Sequence, residues 1–471
     1  MSKTSAQPPK GTRDFLPTTV RQREHVVGII KSVYEAHGFQ PLETPALERL
    51  EVLSGKYGDE GDQLLFKVLL RGQPLVQGIE RAHAHLSEPG ALVQGRSGTV
   101  APKADVLLSD LGLRYDLTVP LARVYAAHHA ELGSIFKRYQ IQPVWRADTP
   151  GKGRYREFYQ CDVDVVGSES PLVEAEVASA ALECMERLGF TQFSLRVNHR
   201  GLLRAVVAQA GVAPSHEVDA IVAIDKLDKI GPEGVAAELA ERGIAAEAST
   251  RLLELLRGGA ELDQVARFLD GNVAGQKALG EVRSVFELLE GTRAHARLKF
   301  DVALARGLGY YTGCIFELAS PDLSGSLGGG GRYDGLIGMF LGRDVPACGF
   351  ALGLERLLLV MQERGLFPAD LGSMEILLAA TQGEPARRAF LLAAHLREEG
   401  YHVSLLPKPE KPARLRKAAQ EMPADFAVWI ESSSLHLWDR KSDHTLRNLD
   451  EAGLLAALEE HQTGVVRLQP T

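Results

Sequence analysis

Cysteine is scarce in this chain. Its 471 residues hold four, Cys161, Cys184, Cys314 and Cys348. No two are spaced as CxxC, which argues against a zinc site or a disulfide framework. Long apolar runs are absent too: none reaches the roughly 18 residues of a membrane-spanning helix. Residues 1–10 are polar, contain two prolines and lack the apolar stretch of a secretory signal. A reducing cytoplasm is the expected setting. The chain also lacks a basic excess, with 53 Lys+Arg against 61 Asp+Glu and a net charge of −8. That excludes a histone-like binder, although a global sum says nothing about a local basic surface. No GKS or GKT follows the run Gly328–Gly331, so it is not a Walker loop. What remains is ordinary globular material, 45% hydrophobic and 24% charged. At about 100–200 residues per domain, the length predicts two to four domains.

Periodicity divides the chain. Val26, Ile30, Val33 and His37 recur at helical spacing, and Thr19 with Gln22 has capping-box spacing, so a helix is predicted over 19–37. Residues 72–110 scatter Gly, Pro and Ser with little sustained period and read as an inserted loop, with room for a short amphipathic piece over 76–86. Strand patterns follow at 113–119 and 136–144. Over 159–165 Tyr159, Cys161, Val163 and Val165 alternate with Gln160, Asp162 and Asp164. A helix is predicted over 171–188. Residues 198–295 read as an inserted helical domain, and 296–367 resume the core with strands at 298–304 and 313–318 and a helix over 353–363. After Pro368 and Gly372 a β-α-β-α-β alternation predicts a separate α/β domain over 373–471.

Several clusters could carry chemistry. Between Lys137 and Arg156 six basic residues face one acid, Asp148. Guanidinium forks match phosphate oxygens, so a basic loop there suits a nucleotide or RNA; a solvated charged hairpin fits the spacing equally well. Gln160 and Asp164 share one strand face, and Asp116 and Thr118 another. Turned inward they would need partners such as an ammonium or an imidazole, and turned outward they would be an ordinary solvent face. Arg306, Tyr310 and Tyr311 lie among glycines, which let a backbone approach a ligand closely.

Taken in order, these segments resemble a histidyl-tRNA synthetase from Pro9 to about Glu363, more weakly beyond. Pro8 to Phe15 is similar to the family's opening. Pro45 resembles the proline of class II motif 1, Arg146 through Phe158 motif 2, and Gly353-Leu354-Glu355-Arg356 motif 3. Leu304–Tyr311 and Gly329–Asp334 resemble the two histidine motifs, and Leu113–Pro120 is closer to the eukaryotic wording.

The resemblance implies an α+β catalytic core on an antiparallel sheet of class II type. It adds an inserted helical domain and a C-terminal α/β anticodon-binding-like domain. It implies a homodimer that joins L-histidine to tRNA(His) using ATP and Mg2+, with no resident metal. For histidine it implies Asp116, Leu117, Thr118, Arg146, Gln160, Asp164, Arg306, Tyr310, Tyr311 and Tyr333. For ATP it implies Arg146, Asp148, Arg154, Phe158 and Arg356, and it gives the catalytic roles to Arg306 and Arg146. Gly309 departs from the pattern, standing where the family commonly has an aspartate. The basic run Lys408, Lys411, Arg414, Arg416 and Lys417 against Glu410 supplies the face that anticodon phosphates need. A synthetase-like regulatory subunit of ATP phosphoribosyltransferase is the alternative. Such relatives generally lack the last domain and parts of the histidine motif.

Overall fold

The computed structural model describes residues 5–461 apart from 57, 89, 96–97, 101, 258, 306–309, 324, 369–370, 372–373, 385, 423 and 432–433. Two compact units emerge, Met1–Leu16 with Arg23–Leu366, and Pro17–Gln22 with Phe367–Thr471.

The first unit is built on an eight-stranded sheet. Its order is Gln40–Pro41, Phe136–Trp145, Glu157–Val166, Ala347–Gly353, Gly328–Arg332, Cys314–Ala319, Ser194–His199 and Leu298–Phe300. The inner strands pair antiparallel, and the two short edge strands join parallel. Tyr34, Val26 and Ile30 of the helix Pro17–Ala36 are buried, as is the face of the helix Leu172–Arg187 that carries Val173, Val177, Ala181 and Met185. On the latter, Ala175, Ala178, Ala180 and Ala181 keep the helix close to its neighbours. Residues 200–289 are a chain of helices within the same unit, running from Arg200–Gln209 to Val273–Leu289.

Several local expectations change. Pro17 starts the opening helix, and no side chain caps it, so the Thr19–Gln22 box does not form. The stretch read as an inserted loop carries the helices Gln73–Leu86 and Pro102–Leu107 and two short strands. The first contains the amphipathic piece expected over 76–86, and its Gly78 packs against the carbonyl of Leu107, where a Cβ would lie 2.6 Å away. The strand expected over 113–119 ends at Leu113. Asp116 then accepts a hydrogen bond from the Val119 amide at 3.1 Å, and a helix begins at Thr118. The glycine run is itself a strand between two partners.

The second unit contains a five-stranded sheet in the order Val403–Leu405, Met374–Ala380, Ala424–Glu431, Ser434–Asp439, Thr445–Leu449. The first three strands are parallel and the last two antiparallel. Ile376 and Leu378 pack into one core with Leu392, Leu396 and Leu454, while Leu377 and Ala379 pack into another with Leu415 and Trp438. Burial on both faces explains why Ile376–Ala380 reads as an unbroken apolar run. No helix among the described residues is long and apolar enough to cross a membrane.

Candidate active site

Two adjacent strands carry a polar ladder. Arg138, Gln140 and Gln142 pair in register with Asp164, Asp162 and Gln160. Strand side chains alternate, so all six lie on one face. Arg138 is fully buried, with Nη2 2.9 Å from Asp164 Oδ2 and 3.9 Å from Asp162 Oδ2. The Tyr333 hydroxyl donates to Asp164 Oδ1. Gln160 Nε2 donates to Asp162 Oδ1 at 3.3 Å. Burial pushes both Asp162 and Asp164 carboxyls above the usual range, with Arg138 opposing that push in each case.

Gln160, Asp162 and Asp164 of the ladder line a cavity of about 770 Å³. The neighbouring strand supplies Gly349 directly across from Asp164, and the glycine strand Gly328–Arg332 follows. Without side chains these positions leave the floor open. Tyr310 and Tyr311 meet at 4.7 Å between ring centroids, and Tyr310 meets Tyr333 edge-on at 6.3 Å. Burial raises all three phenols above their ordinary value, so each keeps its proton as a donor.

The other end of the cavity is cationic and aromatic. Arg146 lies over the Tyr115 ring at 4.2 Å and the Phe158 ring at 5.2 Å. Its Nε donates to the Tyr115 carbonyl at 3.1 Å, and its Nη2 to Gln160 Oε1 at 3.4 Å. Arg356, at the start of the helix Leu354–Arg364, donates to the Ser326 carbonyl at 2.5 Å. Arg154 is exposed on the turn closed by the Gly151–Arg154 bridge. Beside Arg356, the buried Glu355 accepts from Arg23 and from the Tyr159 amide, both at 2.9 Å.

Asp116, Thr118, Arg146, Asp148, Arg154, Phe158, Gln160, Asp164, Tyr310, Tyr311, Tyr333 and Arg356 therefore line one cavity. Leu117 is fully buried and does not line it; its carbonyl accepts from Arg138 at 3.1 Å. Arg306 and Gly309 lie outside the described residues. The basic run is also redistributed. Lys137 pairs with Glu176 at 2.5 Å, Lys152 with Glu363 at 2.7 Å, and Arg156 donates to the Asp148 carbonyl at 3.1 Å. With Arg138 buried, Arg146 and Arg154 are the cations of that run that reach the cavity.

A family model described as histidyl-tRNA synthetase matches residues 11–74 and 104–357. The chain belongs to the histidyl-tRNA synthetase family. A histidine–tRNA ligase of Gloeobacter violaceus is 42% identical over 418 residues, 84% of this chain and 84% of its own length. One from Christiangramia forsetii is 40% identical over 464 residues, covering 96% of this chain and 98% of its own. The crystal structure of histidyl-tRNA synthetase from Nostoc sp. matches with a TM-score of 0.78 and 26% identity, across 98% of this chain and 100% of that one. At the level of fold alone, a Bacillus halodurans structure described as an ATP phosphoribosyltransferase regulatory subunit/histidyl-tRNA synthetase matches at 0.69 and 22% identity.

Against this family background, three residues stand out that sequence reasoning left aside as site residues: Arg138, Asp162 and Glu355. Asp162 carried a signal, since it shares the face of Gln160 and Asp164. Arg138 was obscured because it stands in a run of basic residues that reads as a charged surface.

Proposed function

We propose that the chain activates L-histidine with ATP and transfers it to the 3′-terminal ribose of tRNA(His), acting in the cytoplasm as a homodimer. The observation that carries this reading is Asp164, a buried acid at the cavity wall held by Tyr333 and Arg138. A carboxylate so fixed, with Tyr311 close by, suits the N–H of an imidazole. A ring lacking that donor would leave Asp164 buried and unpaired, which is how such a site rejects isosteres. Asp116, Thr118 and Gln160 take the α-ammonium.

In activation, a carboxylate oxygen of histidine attacks the α-phosphorus of ATP, and the bond to pyrophosphate breaks. Such an in-line displacement needs alignment and charge stabilisation rather than a protein nucleophile. Arg146 holds the histidine carboxylate against the α-phosphate, Phe158 stacks on adenine and Asp148 meets its amino group. Arg154 and Arg356 receive the outer phosphates, and Arg306 offsets charge as pyrophosphate leaves. Mg2+ enters with ATP as part of the substrate. The ribose hydroxyl of the tRNA then attacks the activated carbonyl and releases AMP.

Residues 373–471 form the anticodon-binding part in this reading. Lys408, Lys411, Arg414 and Lys417 are exposed around the helix Pro412–Glu421, a basic surface for tRNA phosphates. The purified protein should exchange pyrophosphate into ATP with histidine and then charge tRNA(His). Folded protein that does neither sinks the proposal. Exchange without charging, with capture of a short phosphoribosyltransferase subunit, would favour the regulatory paralogue.

A further inference from the structure

The buried arginine behind Asp164 touches more than the carboxylate it neutralises. Arg138 Nη2 reaches Asp164 Oδ2 at 2.9 Å and also donates to the Leu117 carbonyl at 3.1 Å. Its Nη1 donates to Gln140 Oε1 at 3.2 Å. Gln140 Nε2 in turn donates to Thr44 Oγ1 at 2.9 Å and to Gln142 Oε1 at 2.6 Å. Gln142 Oε1 also accepts from Arg114 Nη1 at 2.9 Å. Arg114 is the residue that opens the 114–118 turn, and its Nε donates to the Pro143 carbonyl at 2.8 Å. The network thus leaves Asp164, runs through two strand glutamines and returns to the turn that presents Asp116 and Thr118.

A planar guanidinium with several donors in fixed directions can hold two acceptors at a set separation, which an ammonium cannot. Nη2 of Arg138 meets both the carboxylate proposed for the imidazole and the backbone carbonyl between the two residues proposed for the α-ammonium, and Nη1, held by Gln140, fixes the plane of the fork. We propose that Arg138 is a specificity-determining positioning residue. It sets the distance between the ring-recognising and ammonium-recognising ends of the amino-acid pocket and aims one Asp164 oxygen at the substrate. This rests on the histidine reading of the cavity given above. An amino acid whose ring donor lies at another distance from its ammonium would then satisfy one end only.

The test is histidine-dependent ATP–pyrophosphate exchange with Arg138→Lys and Gln140→Met. Arg138→Lys keeps the charge and loses the fork. Gln140→Met removes the acceptor that aims Arg138 without lining the cavity, and it leaves the ion pair in place should the lysine variant fail to fold. Both should raise the histidine KM, by about tenfold or more for the lysine variant and several-fold for the methionine variant. The ATP KM should stay within about twofold, and kcat should fall less than the histidine KM rises. A parallel rise in both KM values, or unchanged histidine KM in a folded variant, overturns the role of Arg138. Failure of the unmutated protein to respond to histidine overturns the reading of the cavity instead.

Discussion

Gly349 lies in register with Asp164 on the adjacent strand, and a Cβ on it would stand 1.9 Å from Asp164 Oδ1. The carboxylate can turn toward Tyr333 and the cavity only because the neighbouring strand carries no side chain there. Pocket depth and carboxylate orientation thus depend on a single missing methyl.

Gly349→Ala should therefore displace Asp164 from Tyr333. Overpacking of this kind typically costs about 1–3 kcal/mol. Thermal unfolding should register that loss, and exchange kinetics should show the histidine KM rising well beyond the ATP KM. A normal histidine KM would mean that the carboxylate is not oriented by this contact.

Arg306→Ala should act on rate. A cation that meets charge developing as pyrophosphate departs contributes to the transition state more than to ground-state binding. Loss of one such donor typically lowers kcat by roughly 10²-fold. Pre-steady-state activation should slow by about that much with a smaller change in histidine affinity. Equal losses in binding and rate would remove the proposed role.

Asp162 makes a prediction about pH. Burial raises its carboxyl in the folded protein, with Asp164 and Asp116 adding to the effect and Arg138 opposing it. The folded state then binds a proton more tightly than the unfolded chain, so stability falls as pH rises above the unfolded carboxyl value of about 3.9. Asp162→Asn removes that dependence. Its melting temperature relative to the unmutated protein should climb between about pH 4 and 7, and a flat difference would count against a proton held at this site.

Glu355 serves the frame around the phosphate end. It is 5% exposed, accepts from Arg23 at 2.9 Å and lies 3.7 Å from Arg13. These two arginines stack on Phe15, Tyr155 and Tyr159. Removing one partner of a buried pair leaves the other charge uncompensated, at a cost of about 3–5 kcal/mol. Glu355→Gln should lower chemical-denaturation stability by about that range, and a loss below about 1 kcal/mol would show that solvent relieves the arginines.

Much of the site could be read from spacing. The alternation over 159–165 placed Gln160, Asp162 and Asp164 on one face because a strand has a period of two. The parallel strands and helices of the last unit were legible because apolar runs, helical periods and prolines agree there. The antiparallel strands Ser434–Asp439 and Thr445–Leu449 were not: both mix polar with apolar residues, the first although it lies inside the sheet and the second at its edge. The turn at Asp116 was missed for a related reason. An acid that caps a helix through the Val119 amide looks the same in sequence as one on a strand.

By itself, the sequence determined the family, the order of the motifs and which residue types could meet an amino acid and a nucleotide, because each motif is local and its spacing is set by the backbone. The resemblance singled out Arg146 and Arg154 among the cations; only the tertiary structure decided what holds the others away from the cavity and what Arg138 does instead. Lys137, Arg138 and Arg146 look alike in a run of basic residues. Pairing with Glu176 holds the first outside the cavity, register with Asp164 buries the second, and the rings of Tyr115 and Phe158 hold the third at the open wall. Those partners come from elements up to about 40 residues away, so no local pattern encodes the difference.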